Sequence, residues 1–211
     1  GQFQLRCVSD GSLQPEYALS CPHDQSLLRA QYRARQIQPR DLPGIWRFLD
    51  WLPVQEMFPG FEAGPVTYKS RGLARELGLE NLFIGFNGYW PERGARLPTC
   101  SFKDLEAAPT IERLKERGER STLVLASAGN TARAFVHAAS LAGWPLLLFV
   151  PEKALDRMWT VLSNGAEQVT LVAVQGDYYD AIVMAEKACS YPGFVPEGEQ
   201  EISPGGMGWG Q

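Results

Sequence analysis

Strand-like and helix-like segments alternate through the second half of the chain, and this alternation restricts the fold more than any other feature of the sequence. Three apolar runs have the composition of buried parallel strands: Thr122–Ala126, Pro145–Val150 and Val169–Val174. Helical patterns follow each of them, at Thr131–Ala142, Ala154–Asn164 and Tyr178–Ser190. Strand, helix and strand in this order form βαβ units, so we predict an α/β fold with a parallel sheet and helices on both faces.

The middle of the chain continues this alternation less regularly. We predict a strand at Val66–Lys69, a short helix over Arg71–Leu77 and a strand at Asn81–Phe86. A longer helix is predicted over Lys103–Arg117, broken or kinked at Pro109 because proline removes an amide donor from the helix interior. These segments extend the predicted α/β domain over residues 61–198.

Residues 1–60 are predicted to form an N-terminal arm. Residues 38–60 are rich in Pro, Trp and Phe, which is typical of irregular structure with short helical turns that wraps a core. The earlier part carries three candidate metal ligands, Cys7, Cys21 and His23, whereas a closed zinc site normally uses four. We therefore expect a degenerate, ribbon-like segment without metal.

Composition excludes several classes of partner. The chain has 20 basic and 24 acidic residues, and the basic ones are dispersed, so nucleic-acid binding is not expected. No window contains the roughly 18 apolar residues of a membrane helix. The first residues show no signal sequence, and the four cysteines are widely spaced, so a cytoplasmic protein with reduced thiols is expected.

One lysine occupies an electrostatically unusual position, at the predicted start of a helix in the loop Pro98–Asp104. A helix N-terminus disfavours the ammonium group of Lys103 by a few tenths to about 1 kcal/mol. The same field favours the uncharged amine that a Schiff-base nucleophile needs, and it attracts a phosphorylated cofactor. Taken alone, however, a lysine in a first helical turn is more often a solvated side chain.

A second loop, Ala126–Thr131, joins an apolar strand to the next helix. It presents backbone amides together with short hydroxyl and amide side chains, and such turns bind anions. An ordinary helix cap, with Asn130 or Thr131 bonding the free amides, explains the same residues equally well.

The two loops together resemble the fold type II pyridoxal-phosphate enzymes. The resemblance rests on Ser101-Phe102-Lys103-Asp104 and on Ser127-Ala128-Gly129-Asn130-Thr131. Within that group the chain is similar to the cysteate synthase branch of the threonine synthase family, from about Leu5 to Gly198. The stretches that carry this likeness are Leu27–Tyr32, Asp41–Ile45, Asp50–Val54, Gly88–Glu92 and Thr99–Lys103.

This resemblance implies a cofactor, a reaction and a set of site residues. The cofactor is pyridoxal 5′-phosphate, bound covalently by Lys103 and contacted by Phe102 and Asn130, with no catalytic metal. Ser127, Gly129 and Thr131 would bind the carboxylate of a small amino-acid substrate, and a homodimer is expected. The implied reaction is the β-replacement of the phosphate of O-phosphoserine by sulfite, which gives cysteate.

Two alternatives stay open. The first is threonine synthase chemistry on O-phosphohomoserine, and the second is a truncated or non-catalytic paralogue that serves as a partner subunit. Ala128 stands where many relatives have a serine, which removes one contact to the substrate. Relatives also continue for about as many residues again, so the chain is expected to be an N-terminal half. Its glycine- and glutamate-rich residues 199–211 are expected to be an irregular tail, and the glycines of 205–210 are not expected to bind phosphate.

Overall fold

A small antiparallel sheet precedes the rest of the fold. The computed structural model describes residues 2–159 and 166–197. Strand β1 (Phe3–Cys7) lies between β2 (Leu13–Gln14) and β3 (Leu28–Tyr32) and pairs antiparallel with both. Alternate residues of β1 are buried, as expected for a strand with one covered face.

The proline- and aromatic-rich segment that follows is mostly irregular, as predicted, with one 3₁₀ helix over Gly44–Trp51. Trp46 is fully buried, and its indole N–H donates to the carbonyl of Phe61 at 2.5 Å. Phe58 and Phe61 meet edge to face with ring centroids 6.0 Å apart. These aromatic residues belong to the main core, so the segment wraps the α/β part of the chain.

The next strands form an antiparallel pair, so the predicted strand–helix–strand alternation is not a parallel βαβ unit in this part of the chain. Strand β4 (Val66–Lys69) is followed by helix α1 (Gly72–Glu76) and by β5 (Phe83–Phe86), and β4 and β5 pair antiparallel. A five-residue helix rises only about 7.5 Å, whereas a four-residue strand is about 13 Å long. Helix α1 is therefore too short to return the chain for a parallel strand. Strands β6 (Tyr89–Trp90) and β7 (Ala95–Arg96) form another small antiparallel pair.

Helix α2 (Asp104–Glu116) continues through Pro109, so the predicted break at this proline is wrong. Pro109 and the neighbouring Ala107, Ala108 and Ile111 are all buried. Packing of this apolar face against the core therefore offsets the loss of one amide donor.

A four-stranded parallel sheet forms the centre of the fold and confirms the predicted class. Its strands are β8 (Thr122–Ala126), β9 (Leu146–Pro151), β10 (Val169–Val174) and β11 (Phe194–Pro196). The order across the sheet is β10-β9-β8-β11, and all three pairings are parallel. Helix α3 (Asn130–Ala142) follows β8, and helix α4 (Tyr178–Cys189) follows β10.

The two faces of this sheet bury different helices. One face packs against α2 and α3 in a core that includes Leu123, Leu125 and Phe135. The other face packs against α4 in a smaller core that includes Val124 and Ala181. Successive residues of β8 thus point to opposite faces, and the four residues after Thr122 are all buried, which explains their continuous apolar sequence.

The predicted helix over residues 154–164 is not present as such. A 3₁₀ helix covers Glu152–Arg157, and residues 160–165 lie outside the described residues. Ala154 is the one buried residue of this helix, which leaves it little apolar surface to stabilise a longer α-helix. The predicted tail at 199–211 also lies outside the described part. No helix in the described ranges has the length and apolar character to cross a membrane.

Candidate active site

The order of the strands indicates where a ligand would bind. Strands β8, β9 and β10 succeed one another in one direction across the sheet, whereas β11 returns to the opposite side of β8. In open α/β sheets, ligands bind beyond the carboxyl ends of strands at such a reversal. Ser127 follows β8 and Glu197 follows β11, and the amide of Glu197 donates to the carbonyl of Val124 at 3.2 Å. The reversal therefore brings these two residues to one edge of the sheet.

The lysine loop reaches the same edge and is fixed by a buried aspartate. The carboxylate of Asp104 accepts hydrogen bonds from the amide of Thr99 at 2.9 Å and from its hydroxyl at 2.8 Å. Asp104 is fully buried, and this burial raises its pKa although the Thr99 hydrogen bonds oppose the rise. The hydroxyl of Ser101 accepts from the amide of Lys103 at 3.2 Å. Together these bonds place Lys103 at the N-cap of α2, at the start of a helix as predicted.

The loop contains one strained residue. Cys100 adopts a left-handed backbone conformation with φ of 55°, which is uncommon for a residue other than glycine. Cys100 is exposed. Ser101 and Asp104 of this loop are buried, whereas Cys100 and Phe102 are exposed to solvent.

Two glutamates lie near the amine of Lys103, one in direct contact and the other beyond it. Its Nζ atom lies 2.5 Å from a carboxylate oxygen of Glu106, one helical turn further along α2. The carboxyl group of Glu197 lies close enough to Glu106 to share a hydrogen bond. Burial, and then the hydrogen bond and charge of Glu106, raise the pKa of Glu197 to about 7, although the charge of Lys103 opposes the rise. The site therefore holds an amine, a carboxylate and a carboxyl group that titrates near neutral pH.

Neither glutamate was predicted from the sequence as a site residue. Glu106 lies three residues after Lys103 in a predicted helix, and this spacing places two side chains on one face, so it was available as a signal. Glu197 reaches the site only because β11 pairs with β8, and the short strand β11 was not predicted.

The loop after β8 is organised by Ser127. Its buried hydroxyl accepts from the amide of Gly129 at 3.3 Å and from the amide of Ala132 at 3.0 Å. Ser127 therefore caps α3, which corrects the assignment of this role to Asn130 or Thr131. Among the described residues, the amides of Asn130 and Thr131 have no hydrogen-bond partner. Two backbone donors at a helix N-terminus thus remain available to an anion.

The predicted site residues meet only in part. The ring of Phe102 lies 5.5 Å from Nζ of Lys103, and its side chain is exposed. The side chain of Asn130 is exposed, and its carbonyl oxygen accepts a hydrogen bond from Arg133. Lys103 and Asn130 thus lie at one edge of the sheet, and each is bonded to a neighbour on its own helix.

These groups fit parts of an aldehyde cofactor that carries anionic substituents. Lys103 supplies a primary amine, and the N-terminus of α3 supplies free amide donors beside the carboxamide of Asn130. A side chain added at Gly129 would meet no atom within 4 Å, so the space in front of this loop is open. The described residues thus supply covalent attachment and anion-binding donors.

Comparison with known proteins yields a consistent result. The family described as "Pyridoxal-phosphate dependent enzyme" matches residues 68–206 of this chain. The cysteate synthase of Methanothrix thermoacetophila is 54% identical over 198 residues, which cover 94% of this chain and 47% of that protein. The cysteate synthase of Methanococcoides burtonii is 52% identical over 197 residues, with 93% and 47% coverage. The chain thus spans about half the length of the curated relatives it matches.

The chain is also similar in part to a solved structure. It is the O-acetyl serine sulfhydrylase isoform 3 from Entamoeba histolytica, with a TM-score of 0.48 and 14% sequence identity. The match covers 68% of this chain and 43% of the other.

Proposed function

The chain belongs to the pyridoxal-phosphate dependent enzyme family, and we propose that it takes part in the synthesis of cysteate from O-phosphoserine and sulfite. The observation that carries this proposal is the identity of 52 and 54% to proteins named cysteate synthase, over nearly the whole of this chain. In the proposed reaction the bond between Cβ and the phosphate oxygen breaks, and a bond forms between Cβ and the sulfur of sulfite. Phosphate leaves with its bonding electron pair, so no oxidant or reductant is needed.

Lys103 has the central role in the proposal. It would hold pyridoxal phosphate, which when bound supplies an electron sink for the substrate's Cα. Nζ of Lys103 would also remove the proton from Cα and return it after sulfite has added. Its place at the N-cap of α2, beside the edge where the sheet order reverses, supports both roles.

The other predicted site residues would bind the substrate and orient the cofactor. Ser127, Gly129 and Thr131 would bind the substrate carboxylate. The free amide of Thr131 supports this role, whereas the amide of Gly129 already donates to the Ser127 hydroxyl and the amide of Ser127 to the carbonyl of Phe149. Asn130 would orient the cofactor ring. For this its carboxamide would give up the hydrogen bond from Arg133 and bond the cofactor instead. Phe102 would cover the cofactor beside Lys103, because its ring already lies against the amine.

Glu106 and Glu197 extend the proposed machinery. Lys103 can act as a base only after its amine has lost a proton, and Glu106 at 2.5 Å is positioned to receive that proton. Glu197, whose pKa is raised to about 7, can store a proton beside Glu106 at neutral pH. The pair would therefore buffer the charge of the amine while the substrate is exchanged.

A spectroscopic experiment tests the attachment. The 211-residue chain is incubated with pyridoxal phosphate, and the visible absorbance of the lysine-bound cofactor is recorded before and after reduction with borohydride. We expect the band in the native chain and its loss in Lys103→Ala. The matched control is Lys153→Ala, because Lys153 is an exposed lysine outside the site. A band of native intensity in Lys103→Ala would show that another amine binds the cofactor.

Product analysis tests the substrate. O-phosphoserine with sulfite should give cysteate and phosphate in equal amounts, and the Lys103→Ala variant should give neither. Release of phosphate and formation of threonine from O-phosphohomoserine would support threonine synthase chemistry instead. A cytoplasmic homodimer is part of the proposal, and the free thiols of all four cysteines support a reducing compartment.

A further inference from the structure

The N-terminal sheet contains the same six-residue turn twice, fourteen residues apart. The first turn comprises residues 7–12 and reads Cys-Val-Ser-Asp-Gly-Ser. The second turn comprises residues 21–26 and reads Cys-Pro-His-Asp-Gln-Ser. Each therefore carries a cysteine, an aspartate three residues later and a serine two residues after that. The two aspartates that complete this repeat were not among the metal ligands predicted from the sequence.

The two turns also have the same backbone structure. In each, the cysteine amide donates to the carbonyl of the last serine at 3.0 Å. In each, the fifth residue has a positive φ, 74° for Gly11 and 59° for Gln25, and its amide donates to the cysteine carbonyl. The serine amide finally donates to the aspartate carboxylate, at 2.8 Å in the first turn and 3.0 Å in the second. Each turn thus presents one thiol and one carboxylate in a fixed relation.

The turns face each other and bring these groups together. Cys7, Cys21 and Asp24 place their ligand atoms within 4.8 Å of one another. Asp10, Cys21 and His23 form a second group within the same limit, and Nδ1 of His23 lies 3.4 Å from a carboxylate oxygen of Asp10. Both thiols are buried and free, with Cys7 3% and Cys21 0% exposed. Cys21 belongs to both groups and therefore lies at the centre of the cluster.

This arrangement has the donor set of a closed metal site. Zinc takes four ligands from cysteine sulfur, histidine nitrogen and carboxylate oxygen, at about 2.0 to 2.3 Å in tetrahedral geometry. Ligand atoms around such an ion lie about 3.5 Å apart, and those of each group already lie within 4.8 Å of one another, so a bound ion would draw them closer together. A divalent cation accounts for all four groups, because it offsets the charge of the two carboxylates and of two thiolates.

The packing of this region gives the ion a structural role. The buried residues of the sheet and its turns, Phe3, Leu5, Cys7 and Cys21, belong to neither of the two main cores. So small an apolar cluster contributes little to the stability of residues 2–32, and small units of this kind commonly depend on metals or disulfides.

We propose that residues 2–32 bind one divalent transition-metal ion of the zinc class through Cys7, Asp10, Cys21 and Asp24. The site has no open coordination position and stabilises the N-terminal sheet. His23 lies outside the repeat and holds Asp10 in place. This assignment replaces the expectation of a metal-free remnant, and it is independent of the proposed reaction.

Cobalt(II) is the probe for this site, because its bonds to thiolates absorb light. The 211-residue chain is reduced, freed of metal with a chelator and titrated with cobalt, which zinc then displaces. We expect saturation at about one ion per chain, an absorption band from cobalt–thiolate bonds, and a higher melting temperature of the chain with zinc. Absence of the band in the reduced native chain would overturn the proposal.

Substitutions identify the ligands. Asp10 and Asp24 are exposed, so Asp10→Asn and Asp24→Asn should fold and weaken cobalt binding by more than about tenfold. Cys21→Ser should abolish the thiolate band, whereas Cys100→Ser should keep it, because Cys100 is a free thiol of another loop. Lys103→Ala should also keep it, which separates this site from the cofactor site. Unchanged affinity in both aspartate variants would overturn the assigned ligand set.

Discussion

The carboxyl pair beside Lys103 predicts an unusual dependence of stability on pH. Glu197 has an ordinary pKa of 4.5, which the folded chain raises to about 7. Between pH 4.5 and about 7, the carboxyl group of Glu197 keeps its proton in the folded chain but has lost it in the unfolded chain. The free energy of unfolding must therefore fall as pH rises from about 4.5 to about 7. Above about pH 7, Glu197 is ionised in both states and causes no further change.

The size of the effect follows from the same shift. A change of one pH unit in a pKa is worth about 1.4 kcal/mol, so ionisation of Glu197 costs the folded chain at most about 3 kcal/mol above pH 7. Substitution with glutamine removes the ionisable group and keeps a similar shape. Glu197→Gln should therefore be more stable than the native chain at pH 8, by up to about 3 kcal/mol, and nearly equal to it at pH 4.5.

Urea denaturation of the cofactor-free chain, followed by circular dichroism at both pH values, measures this difference. Glu80→Gln is the matched control, since Glu80 is exposed after helix α1, and it should change nothing at either pH. Glu106→Gln should reduce the pH dependence in part, because Glu106 is the second cause of the raised pKa after burial. An equal stability change in Glu197→Gln at pH 4.5 and pH 8 would refute the reasoning.

Three further substitutions test the loops that carry the site, all by urea denaturation. Ser127→Ala should lower the free energy of unfolding by about 1 kcal/mol, because helix α3 loses its cap. Asp104→Ala should lower it by about 2 to 3 kcal/mol, because the buried amide and hydroxyl of Thr99 lose their acceptor. Arg113→Met should cost about 2 kcal/mol, because its guanidinium bonds two main-chain carbonyls and connects the N-terminal sheet to α2. A variant as stable as the native chain would contradict the corresponding contact.

The central sheet was predictable because its sequence signals are local. Strands β8 and β10 have the predicted bounds, and α4 ends one residue before the predicted Ser190. Their apolar runs and the glycines around them depend only on neighbouring residues. The lysine and asparagine loops could likewise be located, since each lies at a predicted boundary between elements.

Features that depend on pairing across the chain were not predictable. The antiparallel pairing of β4 with β5, the return of β11 to β8 and the facing turns of the N-terminal sheet each join residues that are distant in sequence. Local patterns carry no information on such contacts. The missed residues Glu197, Asp10 and Asp24 all lie at contacts of this kind, and Glu106 was the one that helical spacing could have revealed.

Two opposing effects act on the charge of Lys103. The helix N-terminus disfavours an ammonium group by at most about 1 kcal/mol. The partly exposed ion pair with Glu106 contributes an effect of opposite sign and similar size, about 0 to 1 kcal/mol. Because these two effects nearly cancel, the charge of Glu197 beside this ion pair decides the balance. We therefore expect the reactivity of the amine toward an aldehyde to change with pH near 7, where Glu197 titrates, and Glu197→Gln to remove that change.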